Sequence, residues 1–266
     1  MFLSGVNMTS EKTAIISRSV KDRIVVALDV SDRASALRLV EQLSGLVGMF
    51  KIGLQLYTAE GQSLVREIVS AGERVFLDLK FHDIPNTVAG ATNSILNLGV
   101  SVFNVHTLGG IEMMQAAAKT ASEFAQGASD QTDQVSILPA NRPAVLGVTV
   151  LTSMSGDDLV SVGIESNVES EVARLATLAR DAGLDGVVAS PREIRLIRER
   201  VAADSFIILT PGIRPAWSAS GDQKRIATPA SAISDGADFI VIGRAITDSV
   251  DPRGATERIL EEIAAV

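Results

Sequence analysis

The residues with the clearest capacity for chemistry lie in one short stretch, Asp78-Leu79-Lys80-Phe81-His82-Asp83. It continues the run Arg74-Val75-Phe76-Leu77, which reads as a β-strand. Alternation along a strand puts Asp78 and Lys80 on one face and Leu77, Leu79 and Phe81 on the other. A carboxylate and an ammonium side by side at the end of a buried strand cost desolvation energy unless they are paired. The array reads either as a structural ion pair or as a device that sets charge and a proton against a substrate. Asp83 either joins it or caps the helix that begins with Ile84-Pro85.

The elements that must hold these residues repeat along the chain. Apolar runs at 24–29, 49–53, 74–81, 100–106, 144–150, 186–190, 206–210 and 239–244 read as strands. Helix-like segments follow them at 34–46, 61–70, 86–98, 111–124, 169–182, 191–200, 228–236 and 253–265, with a shorter one near 156–162. Ser31 or Asp32 serves as the first N-cap. Strict alternation implies a parallel sheet. Eight units in about 245 residues match a single-domain (β/α)8 TIM barrel. The alternative is a doubly wound open sheet, but no Gly-x-Gly-x-x-Gly follows the first strand. Residues 1–20 read as an N-terminal extension and 21–266 as the barrel. Residues 127–142 read as an inserted loop and 216–224 as a mobile one.

Barrels build their sites at the carboxyl ends of the strands. Here those ends supply Asp29, Lys51, Asp78 with Lys80, His106, Thr149 to Thr152, Ser190, Thr210-Pro211 and Arg244. Taken singly, Lys51 reads also as a surface lysine, Asp29 as a cap and His106 as a core histidine. After the seventh and eighth strands come Thr210-Pro211-Gly212-Ile213-Arg214 and Ile242-Gly243-Arg244. Glycine lets backbone approach an anion, and arginine offers a fixed fork to phosphate oxygens.

Composition narrows the classes. The chain of 266 residues is 46% hydrophobic and 21% charged, which supports a globular core. No cysteine is present, so disulfides, thiolate metal sites and Cys nucleophiles are excluded. Two histidines are too few for a His-built metal site. A net charge of -8 argues against nucleic acid or an anionic membrane surface as partner. No apolar run approaches the ~20 residues that span a bilayer, and no signal peptide is evident, so a cytoplasmic location is expected.

The stretch Asp78-Leu79-Lys80-Phe81-His82-Asp83-Ile84-Pro85-Asn86-Thr87 closely resembles the signature of the orotidine 5′-phosphate decarboxylase family. Ala27-Leu28-Asp29, Phe50-Lys51-Ile52-Gly53, Asn104-Val105-His106-Thr107-Leu108-Gly109-Gly110, Val150-Leu151-Thr152-Ser153, Thr210 to Pro215, Gly221-Asp222-Gln223 and Val241-Ile242-Gly243-Arg244 match in order. The resemblance implies a cofactor-free, metal-free homodimeric barrel that converts orotidine 5′-monophosphate to UMP and CO2, the last step of de novo UMP synthesis. It implies an alternating charge network of Lys51, Asp78, Lys80 and Asp83, with Lys80 as proton donor to C6. Asp83 would enter the neighbouring subunit's site, with Ile84 and Thr87 nearby and Thr87 also acting across the interface. Asp29 and Lys51 would hold ribose hydroxyls, and Thr152 would lie near the pyrimidine. Pro211, Arg214, Gln223, Gly243 and Arg244 would line the phosphate end.

Two other readings compete. A related barrel decarboxylates a sugar-acid phosphate through a metal-bound enediolate and has a similar Asp-x-Lys-x-x-Asp array. It carries a glutamate ligand where this chain has Lys51, and an ammonium cannot ligate Mg²⁺. A non-catalytic nucleotide-binding barrel would keep Gly243 and Arg244 but would not need both lysines and both aspartates.

Overall fold

The computed structural model describes residues 19–126, 137–203, 205–218 and 227–266. Eight strands pair in parallel and in sequence order: β1 Ile24–Ala27, β2 Met49–Gly53, β3 Val75–Phe81, β4 Val102–His106, β5 Ala144–Val148, β6 Gly186–Val188, β7 Ile207–Thr210 and β8 Phe239–Ile242. β8 returns to pair with β1 and closes the barrel. The expected (β/α)8 architecture is therefore present and the open sheet is excluded.

The helices are α1 Arg33–Leu43, α2 Leu54–Ser70, α3 Pro85–Leu96, α4 Ile111–Gln126, α5 Gly156–Ser161, α6 Val168–Asp181, α7 Ile194–Val201, α8 Pro229–Ser234, α9 Arg244–Thr247 and α10 Pro252–Ala264. Asp32, rather than Ser31, caps α1 by accepting from Ser35 N at 2.9 Å. α2 starts at Leu54, ahead of the expected 61. Gly61 is a left-handed break inside the helix (φ 65°), not its beginning. The one-turn α9 directly after β8 was not expected.

Two apolar shells hold the fold. One lies between strands and helices, where Ile24, Val26, Phe50, Ile52 and Leu77 meet the helix faces. The other fills the barrel interior with Val25, Met49, Phe76, Val102, Leu146, Leu209 and Phe239. Leu138 closes the amino-terminal end of that interior, beside Arg74, Ser101 and Arg142. The end of the segment expected as an inserted loop thus packs into the core. Residues 127–136 lie outside the described residues, as do residues 1–18 of the expected extension and 219–224 of the expected mobile loop.

Candidate active site

At the carboxyl end the barrel's inward stripes change character. Residues two apart on a strand share a face, so beyond Met49, Phe76 and Val102 come Lys51, Asp78 and Asn104. Barrel interiors are normally closed by apolar layers. Here Lys51 is 9% exposed and Asn104 only 1%. Lys51, Asp78 and Lys80 form the floor of the open end, with Asn104 buried beside them.

The ionic contacts are close. Lys51 Nζ donates to Asp29 Oδ1 at 3.0 Å and lies 3.6 Å from Asp78 Oδ2. Lys80 Nζ donates to Asp78 Oδ1 at 2.6 Å. Gly53 leaves room for this arrangement, since a Cβ there would stand 3.0 Å from Lys51 Nζ. Burial pushes the Asp78 carboxyl up. The Lys51 and Lys80 ammonium groups, with hydrogen bonds from Lys80 and Asn104, outweigh it and hold Asp78 below its ordinary value. Asp78 is therefore an anion at neutral pH.

Asp78 and Lys80 serve one cavity, as alternation predicts, but regular alternation does not put them there. Leu77 pairs with Phe103 and the next pairing is Phe81 with Val105, so residues 78–80 face Asn104 alone. This bulge re-aims the strand. Within it Lys80 is left-handed, with φ 52°, a conformation costing a non-glycine residue roughly 1–2 kcal/mol. Lys80 N donates to Asn104 Oδ1 at 2.7 Å, and Asn104 Nδ2 donates to Asp78 Oδ1 at 2.7 Å. Leu79 and Phe81 pack outward against the helix shell, as expected.

Above the charges is a cavity of about 170 Å³ with apolar walls from Val148, Val150, Leu151, Val188 and Leu209. It shares Val150, Leu151, Thr152 and Pro211 with a groove of about 1130 Å³ that reaches Gly212, Arg214 and Arg244. A flat apolar group fits the first space and an anion the second. Gly243 stands beside Asp29, its Cβ position 3.9 Å from Asp29 Oδ2.

The single chain does not bring every expected residue into this site. Asp83, Ile84 and Thr87 are exposed at the start of α3 and line neither cavity. Asp83 Oδ1 accepts from the adjacent Ile84 N at 2.6 Å. Ile84 itself occupies the N-cap position, so the reading of Asp83 as the helix cap is corrected. Thr210 is fully buried and faces away from the cavities. Gln223 lies outside the described residues.

His106 stacks on His82 with ring centroids 5.3 Å apart, and its Nδ1 accepts from Leu108 N at 3.4 Å. Burial, with the charges of His82 and Lys80, pushes it down to about 4, so it is neutral at pH 7. Among the described residues no three His, Asp or Glu side chains converge as a metal site.

Two residues escaped the sequence reading of roles. Asn104 was legible in principle as a polar residue two positions beyond the core Val102. Glu193, buried at the groove, follows Ser190 with capping-box spacing. Burial raises its carboxyl above the ordinary value despite a hydrogen bond with Ser190.

Comparisons with known proteins agree with this geometry. The sequence profile of the family described as Orotidine 5′-phosphate decarboxylase / HUMPS family matches residues 22–259. The orotidine 5′-phosphate decarboxylase of Moorella thermoacetica is 52% identical over 255 residues, covering 95% of this chain and 96% of that protein. That of Geobacter sulfurreducens is 52% identical over 245 residues, 92% of this chain and 97% of its own. Among solved structures, orotidine 5′-phosphate decarboxylase from Lactobacillus acidophilus superposes with a TM-score of 0.76 at 33% identity, over 90% of this chain and 98% of that one. A match running from before the first strand into the last helix, on a closed barrel with this charged rim, means that the chain belongs to the orotidine 5′-phosphate decarboxylase / HUMPS family.

Proposed function

We propose that this protein decarboxylates orotidine 5′-monophosphate to UMP and CO2. The observation that carries the reading is the Lys51–Asp78–Lys80 array beneath an apolar cavity that opens toward Arg214 and Arg244. The pyrimidine fits the cavity, beside Thr152. The phosphate fits the groove, against Arg214, Arg244 and the backbone at Pro211-Gly212. Asp29 and Lys51, joined by their ion pair at the cavity edge, suit the ribose hydroxyls.

The chemistry follows from the charges. The C6–carboxylate bond breaks, CO2 leaves, and the electron pair stays on C6, where no adjacent carbonyl delocalises it. A fixed ammonium lowers the energy of that carbanion more than that of the substrate. Lys80 supplies this charge, then gives its proton to C6 and is left as a neutral amine that recovers a proton from water. Asp78 faces the departing carboxylate and holds both ammonium groups in place. Phosphate binding, remote from C6, contributes energy for ordering the site.

The reading includes a homodimer. Ile84 is 66% exposed, Leu108 40% and Ile111 39%, an apolar edge along the starts of α3 and α4 that a second copy would cover. Asp83 and Thr87 lie on that edge and would complete the neighbouring site. A cytoplasmic location fits the biosynthetic role; no helix among the described residues is long and apolar enough to cross a membrane.

The metal-dependent alternative is disfavoured because the Lys51 ammonium stands between Asp29 and Asp78, where a cation would need a further anionic ligand. Incubation with orotidine 5′-monophosphate, following the loss of its ultraviolet absorbance with and without EDTA, tests the reading. Turnover that persists in EDTA is expected. No turnover, or turnover abolished by EDTA, rejects it.

A further inference from the structure

We propose that Asn104 is a positioning residue for the reaction: its side-chain amide sets the left-handed backbone of Lys80 and the orientation of the Asp78 carboxylate together. The inference rests on the reading of Lys80 and Asp78 as the reacting pair.

Residues 78–80 have lost the backbone ladder to β4, since pairing skips from Leu77 with Phe103 to Phe81 with Val105. A buried backbone N–H without a partner costs about 1–3 kcal/mol. Asn104 supplies what the ladder does not. Its Oδ1 accepts from Lys80 N and its Nδ2 donates to Asp78 Oδ1, each at 2.7 Å. Lys80 Nζ closes the ring by donating to the same Asp78 oxygen at 2.6 Å. One buried amide therefore fixes both ends of the Asp78–Lys80 pair. Neither Asp, with no donor in its ionised form, nor Ser, with a shorter reach, reproduces both contacts.

Asn104 carries no charge and does not itself line the cavity; it touches Lys80 and Asp78, which do, so its effect must pass through them. Without it the left-handed residue loses its tie and the ammonium is free to leave its place over C6. A misplacement of about 1 Å at a reacting group costs on the order of 10²-fold in rate. The phosphate contacts lie elsewhere, and Lys51, on the ribose side, keeps its 3.0 Å bond to Asp29.

The test uses Asn104→Leu, which keeps the γ-branched shape but removes the donor and acceptor, and Asn104→Ala, which leaves space should the larger leucine prevent folding. Both are compared with Lys80→Ala, with folding checked by circular dichroism and thermal melting. A folded Asn104 variant is expected to lose at least about tenfold in kcat with KM within about threefold. The acid limb of its kcat profile is expected to move to higher pH, because Asp78 loses one of the hydrogen bonds that keep it ionised. The charged groups facing Asp78 are unchanged: Lys51 from β2, with Asp29 behind it, and Lys80 in its own strand, with the neutral His106 at the end of β4. A folded variant that keeps kcat within tenfold, or whose loss falls on KM alone, overturns the proposal. If Lys80→Ala is itself active, the reading of the site fails. If Lys80→Ala is inactive and the Asn104 variants are not impaired, only the role of Asn104 fails.

Discussion

Lys80 Nζ reaches Asp78 Oδ1 at 2.6 Å although the two residues are separated in the chain by Leu79 alone. In a regular strand, alternate side chains on one face stand nearly 7 Å apart along the strand (about 3.3 Å rise per residue). The long lysine side chain spans that distance, and its backbone departs from the strand in a left-handed conformation, φ 52°. The strained residue thus lies at the charged open end of the barrel, where such strain commonly accompanies function.

Lys80→Ala removes the proposed proton donor and one of the two ammonium groups that pair with Asp78. Loss of turnover by at least about 10³-fold is expected, from the combined proton-transfer and electrostatic roles. The fold should persist, because the residue lies at the rim and not in either apolar shell. Steady-state rates followed by substrate absorbance, alongside a thermal melt, provide the check. Near-normal turnover would remove Lys80 from its assigned role.

Arg214 and Arg244 border the groove away from Lys51, Asp78 and Lys80. Replacing either with alanine removes a charge-assisted hydrogen bond worth about 1.5–3 kcal/mol. KM for orotidine 5′-monophosphate and Kd for UMP should each rise roughly 10- to 100-fold. The corresponding nucleosides, which lack the phosphate, should bind the parent and the variants alike. A variant that discriminates against the nucleoside as strongly as the parent does would place the phosphate elsewhere.

If Asp83 serves the neighbouring subunit, Asp83→Ala and Lys80→Ala damage the same site from different chains. Mixing the two inactive proteins under conditions that exchange subunits yields mixed dimers with one undamaged site each. Random exchange at equal amounts restores about a quarter of all sites. Activity returning toward that level, with dimers seen by analytical ultracentrifugation, is the expected result. No recovery despite demonstrated exchange would confine Asp83 to its own chain.

His106 provides a pH dependence of stability. Its value in the fold is about 4 against an ordinary 6.5. The unfolded chain therefore takes up this proton first as pH falls. The stabilisation from keeping His106 neutral is complete above pH 6.5 and is lost as pH falls from 6.5 toward 4. Allowing for partial exposure, the loss is on the order of 1–2 kcal/mol, a few degrees in Tm. His106→Asn keeps an acceptor for Leu108 N and cannot titrate, so its Tm should fall less over this range. Parallel Tm curves for parent and variant would contradict the assignment.

Alternating apolar runs and helical periods were enough to give eight units and hence the barrel, because each period reports local burial. Lys51, Asp78, Lys80 and Arg244 were legible as rim residues for the same reason: a charge interrupting an apolar run marks the strand's end. The bulge in β3 was not legible, since a register shift is a property of two strands and no local pattern in either encodes it. Asn104 was hidden with it, its amide gaining meaning only when β4 lies beside Lys80. Asp83 shows the same division. Its spacing from Asp78 and Lys80 left open a shared site or a helix cap, and only the family resemblance implied a role across subunits; α3 turns it outward to the exposed edge near Ile84. Spacing placed Lys51, Asp78, Lys80 and Arg244 at the open end of the barrel, but it also put Thr210 there, which is buried and turned away. Only the pairing of distant strands decided how they face one another, because hydrogen-bond register and the strain it supports arise between segments and not within them.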